Sequence, residues 1–229
     1  MRYNVVLFDA DNTLLDFSLA EKKAHEKVSL EYGLPVTDEL YARYSKINDD
    51  LWKAYEKKLY EREEIVVMRF EKYLKELNRE DIDPVVFNEK YRAYLGEGTY
   101  LIDGATEVVK AVKNLGAKVY IVTNGVSKVQ RKRLNVQPFF EYLDGVCISE
   151  DAGKPKPDLE FFINASQKFN FKLDEKTVIV GDSLSSDIKG GNNAGIDTIW
   201  FNPKNATLVG DVKVTYEIKS LHEVINIIK

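Results

Sequence analysis

The apolar positions of this chain fall into two patterns, and the change between them is abrupt. From Phe17 to about Gly98 they recur at helical spacing, with no convincing strand. Thr37, followed by Asp38 and Glu39, reads as an N-cap with carboxylates at the positive end of a helix dipole. Leu40, Tyr44, Ile47, Leu51 and Tyr55 then line one helix face. Ile65, Met68, Phe70, Tyr73, Leu74 and Leu77 repeat the pattern. Asp83-Pro84 sets a capping carboxylate before a proline, opening a helix towards Leu95 that Gly96 and Gly98 end. This stretch predicts an all-helical unit of three or four helices.

On either side of it the pattern is short apolar runs alternating with helices. Strands are expected at Val5–Phe8, 118–122, 145–148, 177–180 and 198–201. Helices are expected between them at about 105–115, 128–134, 158–169 and 185–194, the first ended by Gly116 as a left-handed cap and the last closed by Gly195. Ser220 and Glu223 have capping-box spacing and open a last helix towards Ile228. Alternation of this kind predicts βαβ units, hence an α/β fold with a doubly wound, mostly parallel sheet. The first strand belongs to the same sheet as the later ones. The expected division is a discontinuous core, residues 1–15 and 99–229, interrupted by a helical cap domain, residues 16–98. An insertion leaving from the edge of the sheet where strands end is well placed to serve as a lid.

Composition narrows the class. The chain has 229 residues, 44% hydrophobic and 31% charged, with a net charge of −4 and no strongly basic segment. Nucleic-acid binding is therefore not expected. One cysteine excludes an intramolecular disulfide and a cysteine-rich metal site. The N-terminal apolar run is too short for a signal peptide or a membrane span, so a cytoplasmic protein without membrane attachment is expected. Cys147 reads as a small buried hydrophobe, His25 and His222 as surface residues, and Trp52 and Tyr55 as core packing.

The chemistry lies where the strands stop. Val5–Phe8 runs into Asp9-Ala10-Asp11-Asn12-Thr13, the strand at 118–122 into Thr123-Asn124-Gly125, and the strand at 177–180 into Gly181-Asp182-Ser183. A loop beyond Ile148 carries Lys154-Pro155-Lys156-Pro157. In an open parallel sheet the carboxyl ends of the strands share one edge, where ligands bind. Residues scattered from 9 to 187 can therefore converge on a cluster of carboxylates, hydroxyls and an ammonium, suited to a divalent cation and a phosphate. Taken singly, each piece has a plain reading as a turn, a cap or a solvated lysine.

Taken in order, the pieces resemble the four motifs of the haloacid dehalogenase superfamily, specifically its helical-cap phosphatases. Asp9-Ala10-Asp11-Asn12-Thr13-Leu14 fits the first motif, Thr123 the second, a lysine in a Lys-Pro-x-Pro setting the third, and Gly181-Asp182-Ser183-Leu184-Ser185-Ser186-Asp187 the fourth. The resemblance implies that Asp9 is a nucleophile and Asp11 a general acid and base. It implies Thr123 and Asn124 as phosphate binders. Lys154, favoured over Lys156 because the proline pattern aligns on it, becomes both a catalytic and a phosphate-binding cation. It implies Mg²⁺ as cofactor, held by Asp9, Asp11 and Asp182, with Asp187 orienting metal-bound water from behind the direct ligands.

An acidic residue at position 11 supplies a proton to an alkoxide, which a halide leaving group does not need. Phosphoryl transfer is therefore expected over carbon–halogen cleavage. The opening from Asp9 to Phe17 is similar to the branch of 5′-nucleotidases acting on pyrimidine and noncanonical nucleoside monophosphates. The expected partner is a small phosphomonoester, with nucleoside 5′-monophosphates favoured. Phosphoglycolate or sugar-phosphate hydrolysis and phosphomutase chemistry stay open beside it. A non-enzymatic phospho-receiver domain also places acids, a hydroxyl and a lysine at strand ends. The Asp9/Asp11 pair on the first strand and the long helical insert speak against that class.

Overall fold

The computed structural model describes residues 1–229. Six strands form one sheet: β1 (Val5–Phe8), β2 (Lys118–Thr123), β3 (Gly145–Ile148), β4 (Thr177–Gly181), β5 (Asp197–Phe201) and β6 (Tyr216–Ile218). Their order is β3-β2-β1-β4-β5-β6, and every pairing is parallel. The helices are α1 (Phe17–Glu31), α2 (Asp38–Glu56), α3 (Arg62–Glu76), α4 (Pro84–Leu95), α5 (Ala105–Asn114), α6 (Ser127–Leu134), α7 (Ser149–Ala152), α8 (Leu159–Phe169), α9 (Lys189–Ala194) and α10 (Glu223–Ile228). A π-helical turn, Leu184–Ile188, leads into α9. None of these helices is long and apolar enough to cross a membrane.

The chain separates into two compact units, Met1–Phe17 with Thr99–Lys229, and Ser18–Gly98. In the first unit the period-two alternation of strand side chains sorts the core onto two faces. Val6, Phe8, Val119, Ile121, Val178 and Val180 join Val108, Val109 and Val112 of α5 and Val224 and Ile228 of α10. Val5, Leu7, Tyr120, Val122 and Ile179 join Phe161, Phe162 and Ala165 of α8 on the opposite face. A sheet buried on both sides explains why its strands read as unbroken apolar runs. Chain order reverses on either side of β1, which pairs with β2 and with β4 in matched register. That reversal puts the ends of β1 and β4 at the crevice where such sheets bind ligands.

Three short elements fall outside the sequence pattern: a 3-10 turn at Phe140–Tyr142, β6 and α7. β6 has three residues and follows an irregular stretch, so it offers no period to read. α7 has four residues and ends at Gly153, whose φ of 73° is left-handed and suits glycine.

The second unit is α1 from Ser18 onward with α2, α3 and α4. Thr37 caps α2 by accepting from the Leu40 amide, and Asp83 caps α4 through the Val85 and Val86 amides. The core is aromatic: Tyr44 stacks on Phe70 at 5.3 Å, and Phe70 meets Phe87 and Tyr91. His25, expected at the surface, is 1% exposed and stacks on Tyr44 at 4.7 Å. Its charged sequence neighbours suggested solvent, but the apolar stripe Ala20, Ala24 and Val28 carries its helix face inward. Burial pushes its imidazole down to about 4. Glu21 and Arg69 are buried as well, joined through Asn48. The Asn48 amide donates to Glu21 at 2.7 Å and its oxygen accepts from Arg69 at 2.9 Å.

Candidate active site

β1 ends with Phe8 opposite Ile121 of β2 and Val180 of β4, so Asp9 emerges at the centre of the sheet edge. Its amide still donates to the Val180 carbonyl at 2.9 Å, holding the backbone in line. The chain then turns. Asn12 takes a left-handed φ of 58°, and the amides of Leu14 and Leu15 both donate to the Ala10 carbonyl. Asparagine tolerates that backbone better than most side chains do.

β4 delivers Asp182 and Asp187. Gly181 is required here by space: a Cβ at this position would sit 2.2 Å from the Asp187 carboxylate. Ser183 caps the π-helical turn by accepting from the Ser186 amide, while its own amide donates to Asp187 Oδ2 at 3.1 Å. The Trp200 indole on β5 donates to the Asp182 carbonyl at 2.9 Å. The carboxylates of Asp9, Asp182 and Asp187 have oxygens all within 4.8 Å of one another.

The cation among them is Lys156. Its ammonium donates to Asp9 Oδ1 at 2.7 Å, Asp187 Oδ1 at 2.6 Å and the Val122 carbonyl at 2.8 Å, which uses all three donors. It is 1% exposed. Lys154, the residue favoured from the proline pattern, is exposed and stands outside this network. The loop is set by Asn124, whose side chain donates to the Lys156 carbonyl and accepts from the Lys156 amide, both at 2.8 Å. These two bonds clamp the backbone at residue 156 and so aim that lysine at Asp9. The clamp spans 32 residues of sequence, so the alternating Lys-Pro pattern contains no sign of it.

Asn124 is expected from sequence as a phosphate binder. Its side-chain amide is occupied in holding Lys156. Thr123 is buried, and its hydroxyl accepts from the Gly125 amide at 3.1 Å and from Gln130 Nε2 at 2.9 Å.

Asp11 stands apart from the three clustered acids. Its Oδ2 accepts from Gln130 at 2.9 Å and its Oδ1 from Arg133 Nη1 at 2.5 Å. Both partners lie on α6 and were missed from sequence. Three-residue spacing puts them on the face that also carries Val129 and Leu134, whereas Arg131 points outward to Asp151. That periodicity was the available signal, hidden in the basic run Arg131-Lys132-Arg133.

The electrostatics of the cluster are unbalanced. Burial pushes Asp9 up to about 7; the Asp187 charge adds to the rise and Lys156 opposes it. Burial also raises Asp182 well above the usual carboxylate range, aided by the charges of Asp9 and Asp187. Burial works against the Lys156 ammonium, but Asp187 and Asp9 outweigh it and hold the lysine above its usual range. Three carboxylates thus crowd one ammonium, which bonds only Asp9 and Asp187. Hard oxygen donors carrying surplus negative charge suit a divalent cation such as Mg²⁺, so the residues present fit that ion. The Cys147 thiol is buried and pushed up to about 11, the behaviour of a packing residue.

Comparison with known proteins agrees with this geometry. The chain is 40% identical to the HAD-hydrolase YfnB of Bacillus subtilis over 227 residues, 99% of this chain and 96% of that protein. The crystal structure of YfnB, solved bound to magnesium, superposes with a TM-score of 0.93 over 100% of this chain and 99% of that one. The pyrimidine 5′-nucleotidase PynA of Streptococcus pneumoniae is 34% identical, over 99% of this chain and 95% of its own length. The pyrimidine 5′-nucleotidase YjjG of Escherichia coli is 30% identical, over 97% and 96%. A sequence profile described as haloacid dehalogenase-like hydrolase matches residues 3–195, and the chain belongs to that family.

Proposed function

We propose that this phosphatase is a Mg²⁺-dependent phosphomonoesterase that works through an aspartyl-phosphate on Asp9 and favours nucleoside 5′-monophosphates. The observation that carries the reaction is the Lys156 ammonium bonded to Asp9 within a cluster of three carboxylates. A carboxylate approached by a phosphate dianion needs its repulsion offset, and a fixed buried cation does that without reorganising. Asp9, Asp182 and the backbone at Asp11 are the groups that would hold Mg²⁺, with Asp187 behind them. When bound, the ion supplies positive charge that neutralises the acids and the phosphoryl oxygens.

In the first step an Asp9 oxygen bonds to phosphorus as the phosphorus–oxygen bond to the leaving group breaks. Asp11 gives its proton to the departing oxygen, which leaves as the alcohol. In the second step water bonds to phosphorus while the Asp9–phosphorus bond breaks. The water proton passes to Asp11, inorganic phosphate leaves, and both aspartates return to their starting state. The Thr123 hydroxyl stands at the end of β2 beside these groups and binds a phosphoryl oxygen. Asn124 contributes by holding Lys156.

The choice of nucleotides is supported by the two relatives named as pyrimidine 5′-nucleotidases, matched along nearly their full length. A phosphate-release screen tests it, comparing nucleoside 5′-monophosphates, sugar phosphates and phosphoglycolate, each with Mg²⁺ and with a chelator. The highest kcat/KM is expected for a nucleoside monophosphate, with release lost on chelation. A sugar phosphate or phosphoglycolate ahead by tenfold would overturn the substrate, and undiminished release in chelator would overturn the metal.

A further inference from the structure

Arg133 is the largest side chain fully buried in the protein, on a short helix whose neighbouring Arg131 and Lys132 face solvent. Burying a guanidinium costs several kcal/mol unless it is paired and hydrogen-bonded. Its partner is Asp11, at 2.5 Å. Gln130, 1% exposed, completes the arrangement: its amide nitrogen donates to Asp11 Oδ2 and to Thr123 Oγ1, and its oxygen accepts from Arg133 Nη1 at 3.2 Å. Space is reserved for this side chain, because a Cβ on Gly125 would lie 2.6 Å from Gln130 Cδ. The helix is anchored in turn by Gln137, which donates to the Arg133 carbonyl at 2.8 Å and to the Thr99 carbonyl at 3.3 Å. The guanidinium also lies over the Phe17 ring, 5.7 Å from its centroid.

Both oxygens of Asp11 are therefore gripped by one face of α6, and the same glutamine ties that grip to the hydroxyl at the end of β2. A general acid works only when its carboxyl is held within hydrogen-bond reach of the departing oxygen, and a misplacement of about 1 Å can cost on the order of a hundredfold. We propose that Gln130 and Arg133 are positioning residues for proton transfer, fixing the Asp11 carboxyl and the Thr123 hydroxyl as one unit against the phosphoryl group. The proposal rests on the reading of Asp11 as acid and base given above. In the first step Asp11 hands its proton to the leaving oxygen as the phosphorus–oxygen bond breaks and the bond to Asp9 forms. Gln130 and Arg133 exchange no atoms; they set the direction from which the proton comes.

The test uses the dependence on leaving group. An alkoxide needs a proton to depart and p-nitrophenolate does not, so misplacing the acid penalises alkyl phosphates selectively. The whole enzyme is assayed with Mg²⁺ on uridine 5′-monophosphate and p-nitrophenyl phosphate. For each variant the ratio of the two kcat/KM values is compared with wild type. That ratio is independent of how much protein is correctly folded. Gln130→Met, which keeps the volume and removes the hydrogen bonds, and Arg133→Lys, which keeps the charge and removes the fork, should each lower it about tenfold or more. Gln130→Glu restores an acceptor for Arg133 but not the donor to Asp11, so it should fall with Gln130→Met. Asp11→Asn should lower the ratio further, and Gln130→Met added to Asp11→Asn should change it by less than about twofold. If Asp11→Asn lowers the ratio and the α6 variants do not, the positioning role is overturned while the acid–base reading stands. If Asp11→Asn itself leaves the ratio unchanged, both fall. If Gln130→Met lowers the ratio equally in the presence of Asp11→Asn, the glutamine does not act through Asp11 and the proposal is overturned.

Discussion

Both units bury charge, and the difference in how they balance it separates a site from a scaffold. In the helical unit one carboxylate, Glu21, and one guanidinium, Arg69, are matched one to one through the Asn48 amide. Tyr41 and Ser45 donate further to Glu21, and Arg69 also donates to Asn88 and packs against Phe70 and Tyr91. At the sheet edge three carboxylates cluster about one ammonium, which pairs with two of them, Asp9 and Asp187. A network whose members are all satisfied makes a core specific, whereas surplus buried charge is maintained where a ligand neutralises it. Burial raises the Glu21 and Asp9 carboxyls alike, to about 7, so what sets the sheet edge apart is the surplus of carboxylates over cations rather than buried polarity as such.

The largest effect at the crowded sheet edge is expected from Asp9. Asp9→Asn should lower kcat for phosphate release by at least about 10⁴-fold, the scale of losing a nucleophile, while far-ultraviolet circular dichroism stays that of the native fold. Activity within tenfold of wild type would remove Asp9 from that role. Next comes the lysine. Lys156→Met leaves buried acids without their cation and should cost about 10²–10³-fold in kcat/KM, while Lys154→Ala should stay within about twofold. The reverse pattern would return the role to Lys154.

The helical unit is probed by pH. Burial pushes Glu21 up to about 7; the Tyr41 and Ser45 hydroxyls and Arg69 act against the rise, and Asp49 adds to it. A carboxyl raised in the folded state holds more protons folded than unfolded. Its contribution is therefore full below the ordinary glutamate range and is lost as pH climbs through about 7. His25, pushed down to about 4, works in the opposite sense: its contribution is present above the ordinary histidine range and is lost as pH falls through about 4. The two slopes oppose each other across the same acidic interval. In urea denaturation, the stability of Glu21→Gln minus that of wild type should rise by about 3 kcal/mol between pH 4.5 and pH 7.5. A difference that does not change with pH would show that Glu21 is not shifted.

The smallest effect expected is from the metal on the fold. At 100 times its Kd, Mg²⁺ should stabilise the protein by about 2.7 kcal/mol, read as a rise in Tm. Asp182→Asn should abolish that rise, and Glu21→Gln should leave it intact. An equal rise in both variants would place the ion elsewhere.

Much of the architecture was legible because it is written locally. β1, β2 and β4 are apolar runs because the sheet is covered on both faces, and α2 and α4 announce themselves with Thr37 and Asp83 caps. Asp9, Asp182 and Asp187 were nominated by their places after strands, and parallel pairing in register brings them within 4.8 Å. His25 is buried against expectation because charged sequence neighbours say nothing about the helix face a residue occupies.

What the sequence determined by itself is the order of elements and the kind of chemistry at each strand end, since both follow from near-neighbour periodicity and residue type. What only the tertiary structure decided is which of two alternating lysines faces the acids, what Asn124 holds, and that Gln130 and Arg133 grip Asp11. Each of those rests on a pairing between residues 31 or more apart, from 156 to 187, from 124 to 156 or from 11 to 133. Such a pairing exists only once the sheet has closed, and no local pattern encodes it.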